Sequence, residues 1–311
     1  MPSIQDFATI VSALGEPYVH GSDYAVYNED CLRGLRRVPA ACVDLTVTSP
    51  PYNIGKEYER PLPLDEYIAW TTTWLAEVHR VTKPHGALCL NLGYVSVPGR
   101  GHAVPLPYLL WDRIPFFIVQ EIVWNYEAGV AARRRLSPRN EKILWCVKDE
   151  NSYTFNLDDI RDPDVKYPHQ KKNGKLRCNT IGKNPSDVWR IAKVTSGTHR
   201  ASAERTPHPA QFPVDLVERM VKGFSNPGDI VLDPFMGSGS TAEACMRSGR
   251  CAIGFELDGD YCRHAGVRLA GVEDDRRRLI DVPAMRESEV SGRGAVQRSL
   301  ADSFEALGQR T

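Results

Sequence analysis

Residues 230–256 constrain the fold more than any other stretch of this chain. Ile230-Val231-Leu232-Asp233 is a short apolar run that ends in an acid. The turn Asp233-Pro234-Phe235-Met236-Gly237-Ser238-Gly239-Ser240-Thr241 follows, then a helical segment from Ser240 to Ser248 and a second apolar run from Cys251 to Glu256. Strand, tight turn, helix, strand is a βαβ unit, and such a crossover joins parallel neighbours. Loop amides and the helix N-terminus beyond the first strand can approach an anionic or polar group closely. Two glycines alone suit an ordinary tight turn equally well. The context adds more: about twenty residues on, Glu256 closes the next strand, where a carboxylate can accept two hydrogen bonds from ribose hydroxyls.

The same alternation marks the N-terminal part. Tyr24 to Asn28 and Val43 to Val47 read as strands, and Cys31 to Val38 as a short helix between them. Leu64, Tyr67, Ile68, Thr71, Trp74, Leu75, Val78 and Val81 share helical spacing, and Lys83-Pro84-His85-Gly86 is expected to stop that helix. Ala87 to Leu92 is a buried strand, and Phe116 to Trp124 with Lys142 to Val147 reads as an antiparallel pair. Later, Pro213 to Phe224 and Gly259 to Leu269 read as helices. The pattern predicts an α/β fold around a mostly parallel sheet. Apolar runs such as Ile114 to Val119 fall far short of the roughly 20 residues of a membrane span. The N-terminus has neither a basic start nor an apolar core, so no leader is expected. None of the eight cysteines forms a C-x-x-C pair, and several lie in apolar runs, which predicts reduced, buried thiols of a cytoplasmic protein rather than a zinc site.

Between about Tyr153 and Pro207 the apolar periodicity disappears. Residues 161–205 hold eleven Lys or Arg against four acids, a net charge of +7 in a chain whose formal charge is zero. Residues 273–295 are charged and lack aromatics, and read as linker or disorder, with Val296, Leu300, Phe304 and Leu307 on one face of a last short helix.

A second motif stands at the carboxyl end of the Val43 to Val47 strand: Thr48-Ser49-Pro50-Pro51-Tyr52. Two prolines fix a rigid loop, Tyr52 offers a flat face for stacking, and Ser49 offers a hydroxyl acceptor. A Pro-Pro-Tyr loop can also be mere connection or a ligand for a Pro-binding module. Its place beyond a strand end, where open α/β sheets bind ligands, favours a site.

Here a resemblance enters. Thr48 to Tyr52 resembles motif IV of the DNA amino-methyltransferases, and Asp233 to Thr241 resembles their motif I. Thr206-Pro207-His208-Pro209-Ala210-Gln211-Phe212-Pro213 is similar to motif X, and Asn140-Glu141-Lys142-Ile143-Leu144-Trp145 to motif VIII. Gly182-Lys183-Asn184-Pro185-Ser186-Asp187-Val188-Trp189 also recurs in that family. The resemblance covers roughly residues 22–270, and its motif order is that of the permuted β group.

The resemblance implies a circularly permuted, Rossmann-like fold that uses S-adenosylmethionine, with a basic DNA-recognition insertion. Residues 22–149 would form the catalytic half, 150–207 the insertion, 208–272 the cofactor half and 273–311 a charged, partly disordered tail. It places the cofactor against Asp233, Phe235, Gly237 and Gly239, with Glu256 at the ribose, Asp30 near the adenine and Phe212 closing the pocket. An N-cap for the helix after it is the alternative reading of Asp30. Ser49 and the Pro50 carbonyl would accept the hydrogens of an exocyclic amine on a flipped base, with Pro51 fixing the loop and Tyr52 stacking. A Ser at position 49 is seen in that family mainly with cytosine N4, and an Asp with adenine N6. Methylation at ring carbon 5 needs a Cys after Pro, and no Pro-Cys pair occurs. Lys171, Lys172, Lys175, Arg177, Lys183 and Arg139 would meet duplex DNA, unless the basic segment is only a solvated surface. Arg133-Arg134-Arg135 fits a phosphate grip or a solvated run equally well. A cognate restriction endonuclease is an expected partner. Adenine-N6 methylation, methylation of a protein amide, and DNA binding without turnover are the rival readings.

Overall fold

A computed structural model describes residues 4–56, 59–126, 131–194, 202 and 204–281. Residues up to Ala270 form one compact unit and those from Gly271 a second.

Helix α1 (Ile4–Leu14) buries Phe7, Ile10 and Leu14, which form one face of an amphipathic helix. Strands β1 (Val19–His20) and β2 (Tyr24–Asn28) pair antiparallel. Helix α2 (Cys31–Arg37) begins on Asp30, whose carboxylate accepts from Arg33 N at 3.1 Å. Strand β3 (Val43–Thr48) is buried at every position, as a central parallel strand must be. Helix α3 (Leu64–Val81) carries Trp74, Leu75, Val78 and Val81 into the core at full burial. Helix α3 ends at Val81, directly before the expected stop at Lys83-Pro84-His85-Gly86, and strand β4 (Thr82–Leu92) starts at once; within it Lys83 to Gly86 bulge out between Thr82, which pairs with Val43, and Ala87, which pairs with Leu45. Lys83 bonds buried Asp44 at 2.8 Å, and Asp44 also accepts from Ile230 N, so the residue opposite the bulge ties it to β3 and β12.

The hairpin β5 (Tyr94–Val97) with β6 (Gly101–Pro105) and the short helix α4 (Leu106–Leu110) lead to β7 (Phe117–Asn125) and β8 (Asn140–Val147). β7 and β8 are antiparallel, and β8 also pairs antiparallel with β4. In the basic segment, β9 (Lys171–Lys172) and β10 (Lys175–Leu176) make a small hairpin, and β11 (Val188–Arg190) joins the main sheet parallel to β7. The segment is therefore anchored at its ends: Asn156 Nδ2 donates to Ser225 O at 2.8 Å, and Trp189 is buried in the sheet layer.

Helix α5 (Val214–Phe224), strand β12 (Ile230–Asp233), helix α6 (Ser240–Arg247), strand β13 (Cys251–Glu256) and helix α7 (Gly259–Asp281) complete the described residues. Helix α7 continues through residues 273–281, which the sequence reads as linker. Acid and base repeat there at helical spacing, as in Glu273 with Arg277, and such pairs support an exposed helix. The last short helix expected around Val296 to Leu307 lies outside the described residues.

The nine-stranded sheet has the order β1-β2-β13-β12-β3-β4-β8-β7-β11. β12 and β3 are parallel neighbours, with Val231 opposite Leu45 and Leu232 opposite Thr46. From β12 the chain crosses to β13 on one side, and from β3 it crosses to β4 on the other. The order reverses between them, and ligands of open α/β sheets bind in the crevice that this opens at the carboxyl ends. Among the described residues, no helix is long and apolar enough to cross a membrane.

Candidate functional site

Two loops leave the carboxyl ends of β12 and β3 and meet in that crevice. Asp233 joins them. Its Oδ1 accepts from Thr48 Oγ1 at 2.7 Å and from Phe235 N at 3.0 Å, and its Oδ2 from Thr241 Oγ1 at 2.6 Å. Burial pushes its carboxyl up to about 6, against the pull of these three donors. Phe235 packs edge-on against Trp74 and Trp70, with ring centroids 5.2 and 5.7 Å away, so α3 supports the turn from behind.

Gly237 takes a positive φ of 55°, and a Cβ there would lie 3.1 Å from His208 Nε2. Its N–H donates to Glu256 Oε2 at 2.8 Å, and Asp258 N donates to Oε1 at 2.8 Å. Burial raises the Glu256 carboxyl above the usual range. Gly239, φ 84°, begins α6, and a Cβ on it would meet Ala265 Cβ at 3.0 Å. Its job is backbone packing behind the turn, and it does not line the cavity described below. The sequence reading does not separate the two glycines, because both serve the same turn.

The loop after β3 is held as firmly. Tyr67 OH donates to Pro51 O at 2.8 Å. The Tyr52 ring lies against Gly93, where a Cβ would come within 2.7 Å of it. Ser49 Oγ and Tyr52 OH are 2.8 Å apart, and Tyr52 OH donates to Glu141 Oε2 at 2.9 Å. Asn91 Nδ2 donates to Tyr52 OH at 2.6 Å and to Glu141 Oε2 at 2.7 Å. Lys193 Nζ reaches Glu141 Oε1 at 2.7 Å and stands 3.7 Å from the centre of the Tyr126 ring.

One cavity of about 1440 Å³ runs past both loops. It brings together Ser49, Pro50, Pro51, Tyr52, Asp233, Phe235, Gly237, Glu256, Asp30, Phe212 and Arg139 from the sequence reading. Asp30 caps α2 and also lines the cavity. Phe212 stands edge-on to Trp124 at 6.1 Å. Among the described residues, the one cysteine on the cavity is Cys31, whose thiol burial pushes up to about 12.

The cavity excludes Lys171, Lys172, Lys175, Arg177 and Lys183. The first four are exposed on and beside the β9–β10 hairpin, whose turn residues Asn173 and Gly174 both have positive φ, 52° and 77°. Two positive φ values mark a type I′ turn, for which Asn-Gly is the preferred pair. Lys183 is exposed and pairs with Asp162 at 3.1 Å. Arg133, Arg134 and Arg135 are exposed, outside the cavity lining.

Sequence reasoning misses Glu141 and Lys193 as site residues. Glu141 lies inside the stretch similar to motif VIII but gives no individual signal, and Lys193 is one of many cations in the basic segment. Trp124, Tyr126 and His208 also line the cavity. Burial lowers the His208 imidazole to about 4, so the ring is neutral at ordinary pH.

Comparison with known proteins gives concordant matches. The profile of a family described as DNA methylase, N6 and N4, matches residues 43–266. The type II methyltransferase M.ScaI of Streptomyces caespitosus is 56% identical over 262 residues, covering 84% of this chain and 86% of its own. The solved PvuII DNA methyltransferase, titled cytosine-N4-specific, superposes with a TM-score of 0.65 at 20% identity, covering 86% of this chain and 96% of its own. The putative DNA modification methylase TTHA0409 of Thermus thermophilus, solved with S-adenosyl-L-methionine, gives 0.56 at 26% identity, covering 79% and 93%.

Proposed function

The chain belongs to the N6/N4 DNA methylase family, and from that premise we propose that it methylates the N4 amine of cytosine in duplex DNA, at a specific site, within a type II restriction–modification pair. Its cofactor is S-adenosylmethionine, which supplies an electrophilic sulfonium methyl group. The residues present suit that molecule. Glu256 spends one acceptor site of each oxygen on a backbone N–H, and a carboxylate has about four such sites, which leaves room for ribose hydroxyls. Asp30, Phe212 and Phe235 add an acid and two apolar faces to the same wall.

The observation that carries the cytosine reading is Ser49 at the head of the Pro-Pro-Tyr loop, next in sequence to Thr48, which bonds Asp233, and on the shared cavity. An exocyclic amine is a poor nucleophile because its lone pair is delocalised into the ring. Ser49 Oγ and the Pro50 carbonyl accept its hydrogens, which favours a tetrahedral nitrogen. The rigid loop supplies the rest by positioning. Extruding the base gives these groups access to it. A covalent cysteine route has little support, since Cys31 is buried with a raised thiol pKa. The family description also admits adenine N6.

Nucleosides from DNA modified by the pure enzyme are expected to contain N4-methylcytosine by mass spectrometry. N6-methyladenine alone would overturn the base assignment while leaving the site and cofactor in place.

The exposed hairpin offers Lys171, Lys172 and Lys175 to the duplex. The double variant Lys171→Ala with Lys172→Ala is expected to bind DNA more weakly. Its log–log salt slope should flatten by about 0.9 for each phosphate that is no longer neutralised. Fluorescence anisotropy over a salt series measures both, and an unchanged slope takes the hairpin off the DNA.

A further inference from the structure

The hydrogen bonds behind Ser49 run in one direction. Tyr52 has a single hydroxyl proton, and it points to Glu141 Oε2 at 2.9 Å. Towards Asn91 Nδ2 (2.6 Å) and Ser49 Oγ (2.8 Å) the same oxygen acts as acceptor. This commits the Ser49 hydroxyl proton to Tyr52 and, beside the long contact from Asn91 Nδ2 at 3.5 Å, leaves Ser49 Oγ able to accept. The chain ends on Glu141, a buried acid at 9% exposure on β8. Lys193 fixes its other oxygen at 2.7 Å, and Lys193 is itself seated over Tyr126. Tyr52, Lys193 and Tyr126 are the titratable groups facing Glu141, and Arg139 stands beside Tyr126 on the same wall.

We propose that Glu141 is the proton-accepting end of a relay, Ser49–Tyr52–Glu141, that drains the target amine, with Lys193 holding the acceptor in place. The inference rests on the amine-methylation reading above. As the nitrogen lone pair forms the new N–C bond and the C–S electron pair stays on sulfur, the nitrogen is left with one proton too many. That proton passes to Ser49 Oγ while the Ser49 proton passes to Tyr52 and the Tyr52 proton to Glu141 Oε2. Ser49 and Tyr52 end neutral and Glu141 ends as the acid, which returns its proton to water when product leaves. Glu141 never touches the base, so it is a positioning residue.

The test is single-turnover transfer of labelled methyl from S-adenosylmethionine to unmethylated genomic DNA, with wild type, Glu141→Gln and Tyr52→Phe. Both variants are expected to slow the step by about 100-fold, the lower end of general-base effects. Cofactor affinity by calorimetry should be unchanged. The deficit should narrow as pH rises, because hydroxide replaces the missing acceptor; a merely structural role would give a deficit independent of pH. In the cofactor-free protein, the [ζ-13C]tyrosine signal of Tyr52 should shift in Glu141→Gln. Tyr52→Phe keeps the ring and serves if Glu141→Gln does not fold. Wild type that puts no label into DNA would sink the amine-methylation reading and the relay together. Wild type that labels DNA, with variants equally fast or slowed by the same factor at every pH, would overturn the relay alone, as would an unmoved Tyr52 signal.

Discussion

Ser49→Ala is expected to cut methyl transfer to DNA by about 100- to 1000-fold, the cost of losing one preorganised partner of a developing charge. S-adenosylmethionine affinity should be unaffected, because the hydrogen bonds that hold the proposed cofactor wall together are elsewhere, at Asp233, Gly237 and Glu256. The alanine removes the hydroxyl that touches Tyr52 at 2.8 Å, but Tyr52 keeps Glu141 and Asn91, so the loop keeps its shape. Single-turnover kinetics and calorimetry on one preparation separate the two quantities. A variant that transfers methyl at the wild-type rate removes Ser49 from the chemistry, whatever it does to stability.

Asp233→Ala should be the most destabilising single change at the site. The carboxylate is 3% exposed and serves three donors: two hydroxyls and a backbone N–H. Each donor stranded in the interior costs about 1–3 kcal/mol, partly relieved by local rearrangement. A total loss of about 3–5 kcal/mol is expected in a denaturant titration, which is a large share of a domain's stability. Asp233→Asn keeps the volume and one acceptor oxygen, and should lose less than half as much. If Asp233→Ala unfolds within about 0.5 kcal/mol of wild type, the range of an ordinary surface change, Asp233 does not pin the two loops.

Much of this arrangement is legible in the sequence. The strands at Tyr24–Asn28, Val43–Thr48, Ile230–Asp233 and Cys251–Glu256 are apolar runs cut off by turn residues, and the helices at Leu64–Val81 and Val214–Phe224 carry a clear apolar face. Local pattern decides such elements. The N-terminal helix escapes the sequence reading although Phe7, Ile10 and Leu14 have helical spacing, and the Asn173-Gly174 hairpin signal is masked within a segment dominated by its charge. The bulge of β4 at Lys83 to Gly86 is held by Asp44 on the neighbouring strand, which no local window contains. The site divides the same way. The two loops announce themselves because each is a contiguous motif. Glu141 and Lys193 meet only because β8 lies beside β4 and β4 beside β3, and β11 closes the sheet beyond β7. Lys193 looks like one more phosphate-binding cation until the fold sets it on a buried acid.

The order of strands across the sheet also bears on how the molecule is made. β2 and β3 are early in the chain, yet the places between them belong to β13 and β12, the last of the described strands. On the ribosome, β3 has only β4 beside it until about residue 233 has emerged, and β2 only β1 until about residue 256. Two open edges of apolar strand persist through most of translation, and edges of that kind invite pairing with other chains. The hydrogen bond from Thr48 to Asp233, 185 positions apart, forms only when that gap is filled. The nascent chain therefore carries the Thr48 to Tyr52 loop early, and the cavity that loop shares with the Asp233 to Thr241 turn can form only after β12 has been made.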